Sequence, residues 1–562
     1  MTTFPERLKA LHSRTPDRVA ITLQFSGRDD LPITYAQLLC AASSFAQTLE
    51  REGIQPGEVV VLILQHGENL VSSFWGAILH GAIPSIMPFL TEKLSPERYK
   101  ADLSALISVT KPVAIVTYPE FEGEVRAALQ ERDSVRAVVV ADRIEAQAEI
   151  DFASLKGFQR KPEDIVLLQH SSGTTGLQKG VALTHQAVFN QLNSYGKSLG
   201  ITENDVIVSW LPLYHDMGLI AGFLMPILSG IPLVIMSPFD WVRAPYRLLQ
   251  AISKYQATLT WLPNFAYNFC AQKIRDRHIE GMDLSSLRAV INCSEPVRWE
   301  SHVAFYERFR DYGLKFEALQ TSYAMAENVF GVTQSQLGSI PVVDEIDRES
   351  FMVERVAKNP LDGRPSMKMM SSGQPLENVR VKVVGEDRNE VPERIIGELA
   401  LQSDCMLTGY FNRPDLTEKA FRDGWYLTGD YGYISNGEVF VSGRKKDMII
   451  VGGKNIYPQD LEALTYEVSG VHAGRSVAFG MYDETQGTED VVVIAEVDSE
   501  DTQEQQRIAD AIRLHVTKNS AIALRYVKVV GPKWILKTSS GKTARSANKE
   551  KFLLELQADQ EN

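Results

Sequence analysis

Over the first two thirds of this chain, short β-branched apolar runs alternate with longer stretches of helical periodicity, and that order leaves few folds open. Ile33–Thr34 leads into a helical pattern from Tyr35 to Glu52. The run Val59–Leu64 follows, then a helical stretch toward His80, then Ala82–Ile86. Further runs stand at Val113–Val116, Val135–Val140, Ile165–Leu168, Val206–Ser209, Leu233–Met236 and Ala289–Asn292. A strand that reaches the next strand only through a helix pairs with it in parallel, and the helix covers the sheet. The expected fold class is α/β, with a large N-terminal domain of parallel-rich sheets covered by helices. The 562 residues exceed what one core holds, and the pattern changes near Gly443. Gly424–Asp447 reads as short, Gly-punctuated hairpin strands. A helix then opens at Tyr457–Glu462, followed by strands at Ser476–Phe479 and Val491–Val497, a helix at Thr502–Thr517 and a strand at Tyr526–Val530. Pro458 in the first turn, with acidic residues beside it, is helix-start chemistry. The expected division is 1–445 for the large domain and 446–562 for a small α+β C-terminal domain.

The net charge of −13 disfavours nucleic acid or an anionic membrane as main partner, because both reward a basic face. Cys40, Cys270, Cys293 and Cys405 lie far apart with no metal-ligand spacing, as expected of a reduced, cytoplasmic protein without a zinc site. The N-terminus lacks a signal-peptide layout, and the apolar stretch Leu219–Met236 is broken by Gly and Pro, so no membrane anchor is expected.

The sharpest local signal is Leu167-Leu168-Gln169-His170-Ser171-Ser172-Gly173-Thr174-Thr175-Gly176-Leu177-Gln178-Lys179-Gly180. An apolar strand runs into a Ser/Thr/Gly loop that ends in a lysine, and a helix capped near Thr184 follows. Such a loop turns backbone N–H groups and hydroxyls toward phosphate oxygens, and its glycines allow close approach. The P-loop spacing is absent, and a flexible connection is the plain alternative.

From this loop onward the chain resembles the adenylate-forming superfamily of acyl-CoA synthetases, peptide-synthetase adenylation domains and luciferases. The likeness continues in order through Leu211-Pro212-Leu213-Tyr214-His215-Asp216-Met217-Gly218 and Asn292-Cys293-Ser294-Glu295-Pro296. It runs on through Ser322-Tyr323-Ala324-Met325-Ala326-Glu327 and Gly424-Trp425-Tyr426-Leu427-Thr428-Gly429-Asp430. Its last blocks are Gly443-Arg444-Lys445-Lys446-Asp447, Asn455–Pro458 and Thr538–Lys542.

The resemblance implies that ATP and Mg2+ convert a carboxylic acid to an acyl-adenylate. It implies that Glu327, with Thr175, holds Mg2+, a hard cation suited to carboxylate, hydroxyl and phosphate oxygens. Ser171, Ser172, Gly173, Thr174, Thr175, Gly176 and Lys179 would take the phosphates. Ser294, Glu295 and Pro296, with Ser322, Tyr323, Ala324, Met325 and Ala326, would line the adenine pocket, Tyr323 stacking on the base. Asp430 and Arg444 would grip the ribose hydroxyls, an acceptor and a forked donor. Lys542 would stabilise the charge that builds when two anions react. His215 would sit where acyl and nucleotide pockets meet, binding or gating, since a carboxylate nucleophile is already deprotonated at neutral pH. Related enzymes pivot the small domain near the position of Lys446 between two half-reactions, so the C-terminal domain is expected to be mobile.

Three features are similar to fatty acyl-AMP ligases: the Leu211–Leu219 block, Ala326 before Glu327, and a long stretch of about 333–370 between Val332 and Ser371-Ser372-Gly373-Gln374-Pro375. In those enzymes an insertion here is thought to restrain the rotation that CoA requires, so the acyl group passes to the phosphopantetheine thiol of a carrier protein. A plain surface loop is the alternative, with CoA then the acceptor, and packing of the insertion on the C-terminal domain would decide between them. Asn328 departs from the usual wording, placing a polar group beside the pocket and suggesting a short, branched or aromatic acid. Asp216 could also be read as an anchor for a substrate ammonium. The twenty residues after Lys542 cannot form a carrier domain, so a separate acyl carrier protein in trans is expected. A catalytically silent relative would have lost Lys542, Glu327 or Asp430, and all three are present.

Overall fold

The computed structural model describes residues 2–561 apart from 90–95, 132, 146–148, 172–178, 452–453, 473, 484–487, 521 and 539–540; for 96–98, 101–102, 171 and 559–561 it describes the course of the chain only. The apolar runs become strands, and parallel pairing dominates as their spacing requires. Ile83–Ile86 pairs in parallel with Val59–Leu62 and with Ile165–Ser171, and Ala114–Thr117 joins Val59–Leu62 to Ala137–Val140. The far edge turns antiparallel: Ile165–Ser171 pairs with Lys179–Thr184, which pairs with the two-residue strand Gly409–Tyr410. A second sheet runs in parallel from Val19–Gln24 through Leu233–Met236, Ile207–Ser209, Leu259–Leu262 and Ala289–Asn292 to Leu319–Ala324, with antiparallel edges. Helices such as Tyr35–Arg51 and Glu68–His80 cover these sheets, and one continuous apolar core joins them. Thr34 caps the first of these helices by accepting from the Gln37 N–H at 3.2 Å, with Gln37 reaching back to the Thr34 N–H at 2.9 Å.

A third sheet is antiparallel and joins Val379–Val384, Gly397–Ser403, Trp425–Ser435 and Glu438–Arg444. Sequence reading anticipated only its last hairpin. Beyond it, Ser476–Asp483, Thr488–Glu496 and Leu524–Val530 form a small sheet against the helices Pro458–Tyr466 and Thr502–Ser520, with apolar clusters of its own. The unforeseen helix Arg545–Glu561 completes this unit. Among the described residues no helix is long and apolar enough to cross a membrane. The four cysteines are free thiols, and Cys270, Cys293 and Cys405 are buried.

The stretch 333–370 is a folded element, not a slack loop. Val343–Asp347 and Ser366–Met370 pair antiparallel, and the turn Ser350–Glu354 lies between them. Ile346, Phe351 and Ala357 share an apolar cluster with Tyr431, Tyr433, Phe440 and Tyr457. The Phe351 and Tyr457 ring centroids are 5.9 Å apart, and Arg355 Nη2 donates to Asn455 Oδ1 at 3.0 Å. The insertion therefore packs on the chain just before the small sheet.

Buried imidazoles give the fold a pH dependence. His80, His170, His185 and His302 are almost wholly buried. Burial lowers the pKa of all four, to about 4 for His170 and His185 and about 3 for His302. His185 Nδ1 accepts the Phe4 N–H at 3.2 Å, which a protonated ring could not do. Unfolded, these rings take up protons near pH 6.5, whereas folded they do not. Their contribution is whole above that pH and is lost as pH falls. The melting temperature is expected to drop steadily between about pH 7 and pH 5, and scanning calorimetry showing a flat profile there would contradict this reading.

Candidate active site

The strand Leu319–Ala324 of the second sheet carries Tyr323 to the junction with the third sheet, whose hairpin sets Asp430 directly opposite Arg444. Tyr323 Oη donates to Asp430 Oδ2 at 2.6 Å, and Arg444 Nε lies 3.4 Å from Asp430 Oδ1. Burial pushes the Asp430 carboxyl up, while the Arg444 charge and the Tyr323 hydrogen bond hold it down. Lys446, in the turn after this hairpin, is pulled down to about 8 by lost solvation and by Arg444, with Lys179 close enough to contribute. Tyr323, Asp430 and Arg444, expected from separate motifs, thus form one group around the Asp430 carboxylate. Ser322 is not free to face a ligand: its hydroxyl donates to Thr333 O at 2.7 Å inside the sheet.

After Ala324 the chain turns sharply. Met325 N–H donates to Phe330 O at 2.8 Å, and Ala326–Asn328 form a single tight turn that presents Glu327. The turn ends on Val329 with φ +62° and ψ −57°, a positive-φ conformation costly for a β-branched residue. Asn328 is fully buried; it donates to Gly331 O at 2.8 Å and accepts from Ser403 Oγ. The expectation that Asn328 offers a polar group to the substrate is therefore corrected: both ends of its amide are consumed in holding the turn. Glu327 is buried, which pushes its carboxyl up, and Tyr410 Oη donates to Glu327 Oε1 at 2.9 Å. The ring of Tyr410 also carries Lys179, whose Nζ lies 4.7 Å from the ring centroid.

Lys179 and Ser171 face each other as the last pair of the antiparallel hairpin. The expected phosphate residues Ser172, Gly173, Thr174, Thr175 and Gly176, with Thr175 also expected on the metal, lie outside the described residues, as does the side chain of Ser171. Among the described residues no cluster of three or more His, Cys, Asp or Glu gathers for a metal. A cation here would take Glu327 and draw its other oxygens from phosphate and water, which suits Mg2+.

Across the cleft, the block Leu211–Gly218 packs so tightly that a Cβ on Gly218 would stand 2.2 Å from Pro212 O. Asp216 caps the wide helical segment Met217–Leu224 by accepting the Met217 N–H at 2.8 Å. That cap takes one oxygen of the Asp216 carboxylate. His215 is held neutral, its pKa pushed down to about 3 by burial and by the Lys542 charge, and its Nε2 has no protein partner. Lys542 belongs to a turn closed by Thr538 N–H to Lys542 O at 2.7 Å. The neighbouring Gly541, at φ +84°, lies against the Phe265 ring. The Lys542 charge reaches His215, Asp216 and Cys293, so this lysine stands close to the Leu211–Gly218 block and the end of the strand Ala289–Asn292. Arg298 also ties the two stretches of chain together, with an ion pair to Asp460 at 2.8 Å and a bond to Gln459 O at 3.1 Å.

The Ser294–Pro296 segment is only partly placed as expected. Ser294 sits at φ +71° with its hydroxyl toward Met217 Sδ, and Pro296 is exposed. Glu295 Oε2 accepts the Phe265 N–H at 2.9 Å, so one oxygen of that carboxylate caps the helix Asn264–Lys273. Tyr410 was missed, and Tyr426, though inside the Gly424–Asp430 block, was given no role; their hydroxyls lie 2.9 Å apart beside Glu327. A Gly-Tyr pair on an edge strand carries no sequence signal of that position.

Comparison with known proteins identifies the family. Residues 8–411 match the AMP-binding enzyme family. The chain is 29% identical to the long-chain-fatty-acid–AMP ligase FadD26 of Mycobacterium bovis, over 98% of this chain and 97% of that one. It is also 29% identical to the medium-chain-fatty-acid–acyl-carrier-protein ligase JamA of Moorena producens, over 96% and 93%. A solved structure from work on fatty acyl-adenylate ligases of E. coli and L. pneumophila superposes with a TM-score of 0.89 at 25% identity, covering 100% of this chain and 98% of that one. The fatty acid AMP ligase of Legionella pneumophila gives 0.74 at 30% identity, covering 98% and 96%. With the fold, the ordered motifs and the family match in agreement, the chain belongs to the AMP-binding enzymes and has the adenylate-forming fold.

Proposed function

We propose that this chain uses ATP to convert a fatty acid to acyl-AMP, releasing pyrophosphate, and then passes the acyl group to the phosphopantetheine thiol of a separate carrier protein. The observation that carries the acceptor assignment is the packing of 333–370 on the C-terminal unit through Phe351–Tyr457 and Arg355–Asn455. That contact favours the closed arrangement in which Lys542 faces His215. The names of the two fatty-acid ligases above support the same reading. The boundary between large and small domains falls near Lys446, and the unit 446–562 acts as the moving lid. A lower TM-score at higher identity, with similar coverage, supports a unit whose orientation differs among relatives.

The substrate carboxylate oxygen attacks the α-phosphorus, and the bond from that phosphorus to the bridging oxygen of pyrophosphate breaks. No base is needed, since the nucleophile is already ionised. Lys542 offsets the repulsion between the two anions and stabilises the charge on the transferring phosphoryl oxygens. Neutral His215 adds no second charge beside Lys542. Lys179, with the loop before it, binds the outgoing phosphates. Glu327 would hold Mg2+, whose charge would then offset that of the triphosphate. Asp430 accepts from the ribose hydroxyls while Arg444 and Tyr323 fix its orientation. In the second step the thiol sulfur attacks the acyl carbon, AMP leaves, and the thiol proton is lost to solvent.

Exchange of labelled pyrophosphate into ATP tests the first step. It is expected only when a fatty acid is present, and its absence with every acid would defeat the adenylation reading. Asp430→Ala should weaken ATP binding by about tenfold or more, the loss expected when a charged hydrogen-bonding group is removed from a buried site. Unchanged affinity by calorimetry would take Asp430 out of the ribose site.

A further inference from the structure

Tyr410 stands at a crossing that neither the motifs nor the reaction scheme assigns. It belongs to Gly409–Tyr410, the edge strand paired with Lys179–Thr184, so it is tied to the stem of the phosphate loop. The short segment 407–411 holds both sides of the nucleotide cleft. Leu407 N–H donates to Glu327 O at 2.8 Å, while Thr408 N–H and Phe411 N–H donate to Ala182 O at 3.0 Å and Gly180 O at 2.8 Å. Between these clamps the Tyr410 side chain is 4% exposed. Its hydroxyl donates to Glu327 Oε1 at 2.9 Å, and its ring face carries the Lys179 ammonium at 4.7 Å. Because Tyr410 spends its one proton on the carboxylate, the hydroxyl of Tyr426, 2.9 Å away, donates to Tyr410. The two phenols form a directional chain ending on Glu327, and such chains reinforce each bond in them.

We propose that Tyr410 is a positioning residue that fixes the Glu327 carboxylate relative to the Lys179 ammonium, so that a nucleotide triphosphate and its divalent cation meet both at once. This rests on the nucleotide reading of the cleft given above, not on the identity of the acid or acceptor. The side chain has two separable halves. The hydroxyl orients the carboxylate and so governs the cation; the ring holds the lysine and so governs the phosphates, through cation–π attraction that is strongest where water is excluded. A residue that merely filled space would affect both alike.

The separation is testable by calorimetric binding of ATP, with excess Mg2+ and with EDTA, to the full chain and its Tyr410→Phe and Tyr410→Leu variants. Neither acid nor acceptor enters the measurement. Tyr410→Phe is expected to weaken binding of the magnesium complex about tenfold, the effect of leaving a buried carboxylate without its donor. Its binding of metal-free ATP should stay near wild type, because the ring under Lys179 remains. Tyr410→Leu should weaken metal-free ATP as well, by about three- to tenfold. Tyr426→Phe keeps the bond to Glu327 and should show a smaller loss confined to the magnesium complex. Wild-type binding by Tyr410→Phe in both conditions would overturn the proposal. So would an equal loss with and without Mg2+ in a variant that melts at the wild-type temperature, since that is the mark of a general packing role. A wild type that binds ATP in neither condition would defeat the nucleotide reading itself, a different result from a variant that fails to separate the two.

Discussion

Replacing Lys542 by alanine is expected to lower acyl-adenylate formation by about 10²–10³-fold, the loss typical when one preorganised group facing the developing charge is removed. The turn should survive the change, because it is closed by backbone bonds from Thr538 N–H to Lys542 O and from Gly541 N–H to Thr538 O. What disappears is a cation that acts on both His215 and Asp216 across the cleft. Without it, the carboxylate approaches an anionic phosphate with no compensating charge on its side. ATP binding should remain within about threefold of wild type, because the groups around Asp430, Glu327 and Lys179 are untouched, so the loss lies in the chemical step. Single-turnover mass spectrometry of acyl-AMP checks this, and a wild-type rate would remove Lys542 from the reaction.

The second large effect concerns the acceptor. Phe351 and Arg355 hold the insertion to Tyr457 and Asn455. An aromatic contact and a charged hydrogen bond together contribute about 2–4 kcal/mol. On the proposed lid motion, part of that restraint must be overcome whenever the C-terminal unit leaves the arrangement that puts Lys542 beside His215. Releasing about 2 kcal/mol shifts a two-state balance about 30-fold. The double variant Phe351→Ala/Arg355→Ala should therefore raise acyl-CoA formation by at least tenfold, with adenylate formation reduced only modestly. Unchanged CoA output in a folded variant would make the insertion a passive surface element.

The parallel sheets were legible because each interior strand is buried on both faces and so appears as an unbroken apolar run. Val59–Leu62 and Leu233–Met236 are buried at every position. Lys179–Thr184 was hidden by the Ser/Thr/Gly loop before it, and Arg545–Glu561 by a sequence too polar to show a face. Asp430 and Arg444 were expected together only from the family resemblance, and the hairpin then sets them opposite each other. Glu295 and Asn328 could not be placed, since each is held by a partner that only tertiary packing brings near: the helix at Phe265 and the strand end at Ser403. Tyr410 reaches Glu327 from an edge strand whose own sequence says nothing of that contact.

The central claim is that this enzyme makes an acyl-adenylate and gives the acyl group to a carrier thiol in preference to CoA. The most direct measurement is mass spectrometry of products after the full chain meets ATP, Mg2+ and a panel of fatty acids, in parallel with no thiol, with CoA, and with a phosphopantetheinylated carrier protein. The predicted result is acyl-AMP without thiol, acyl-carrier in the third reaction, and little acyl-CoA in the second. Efficient acyl-CoA formation, equal to or above transfer to the carrier, would contradict it.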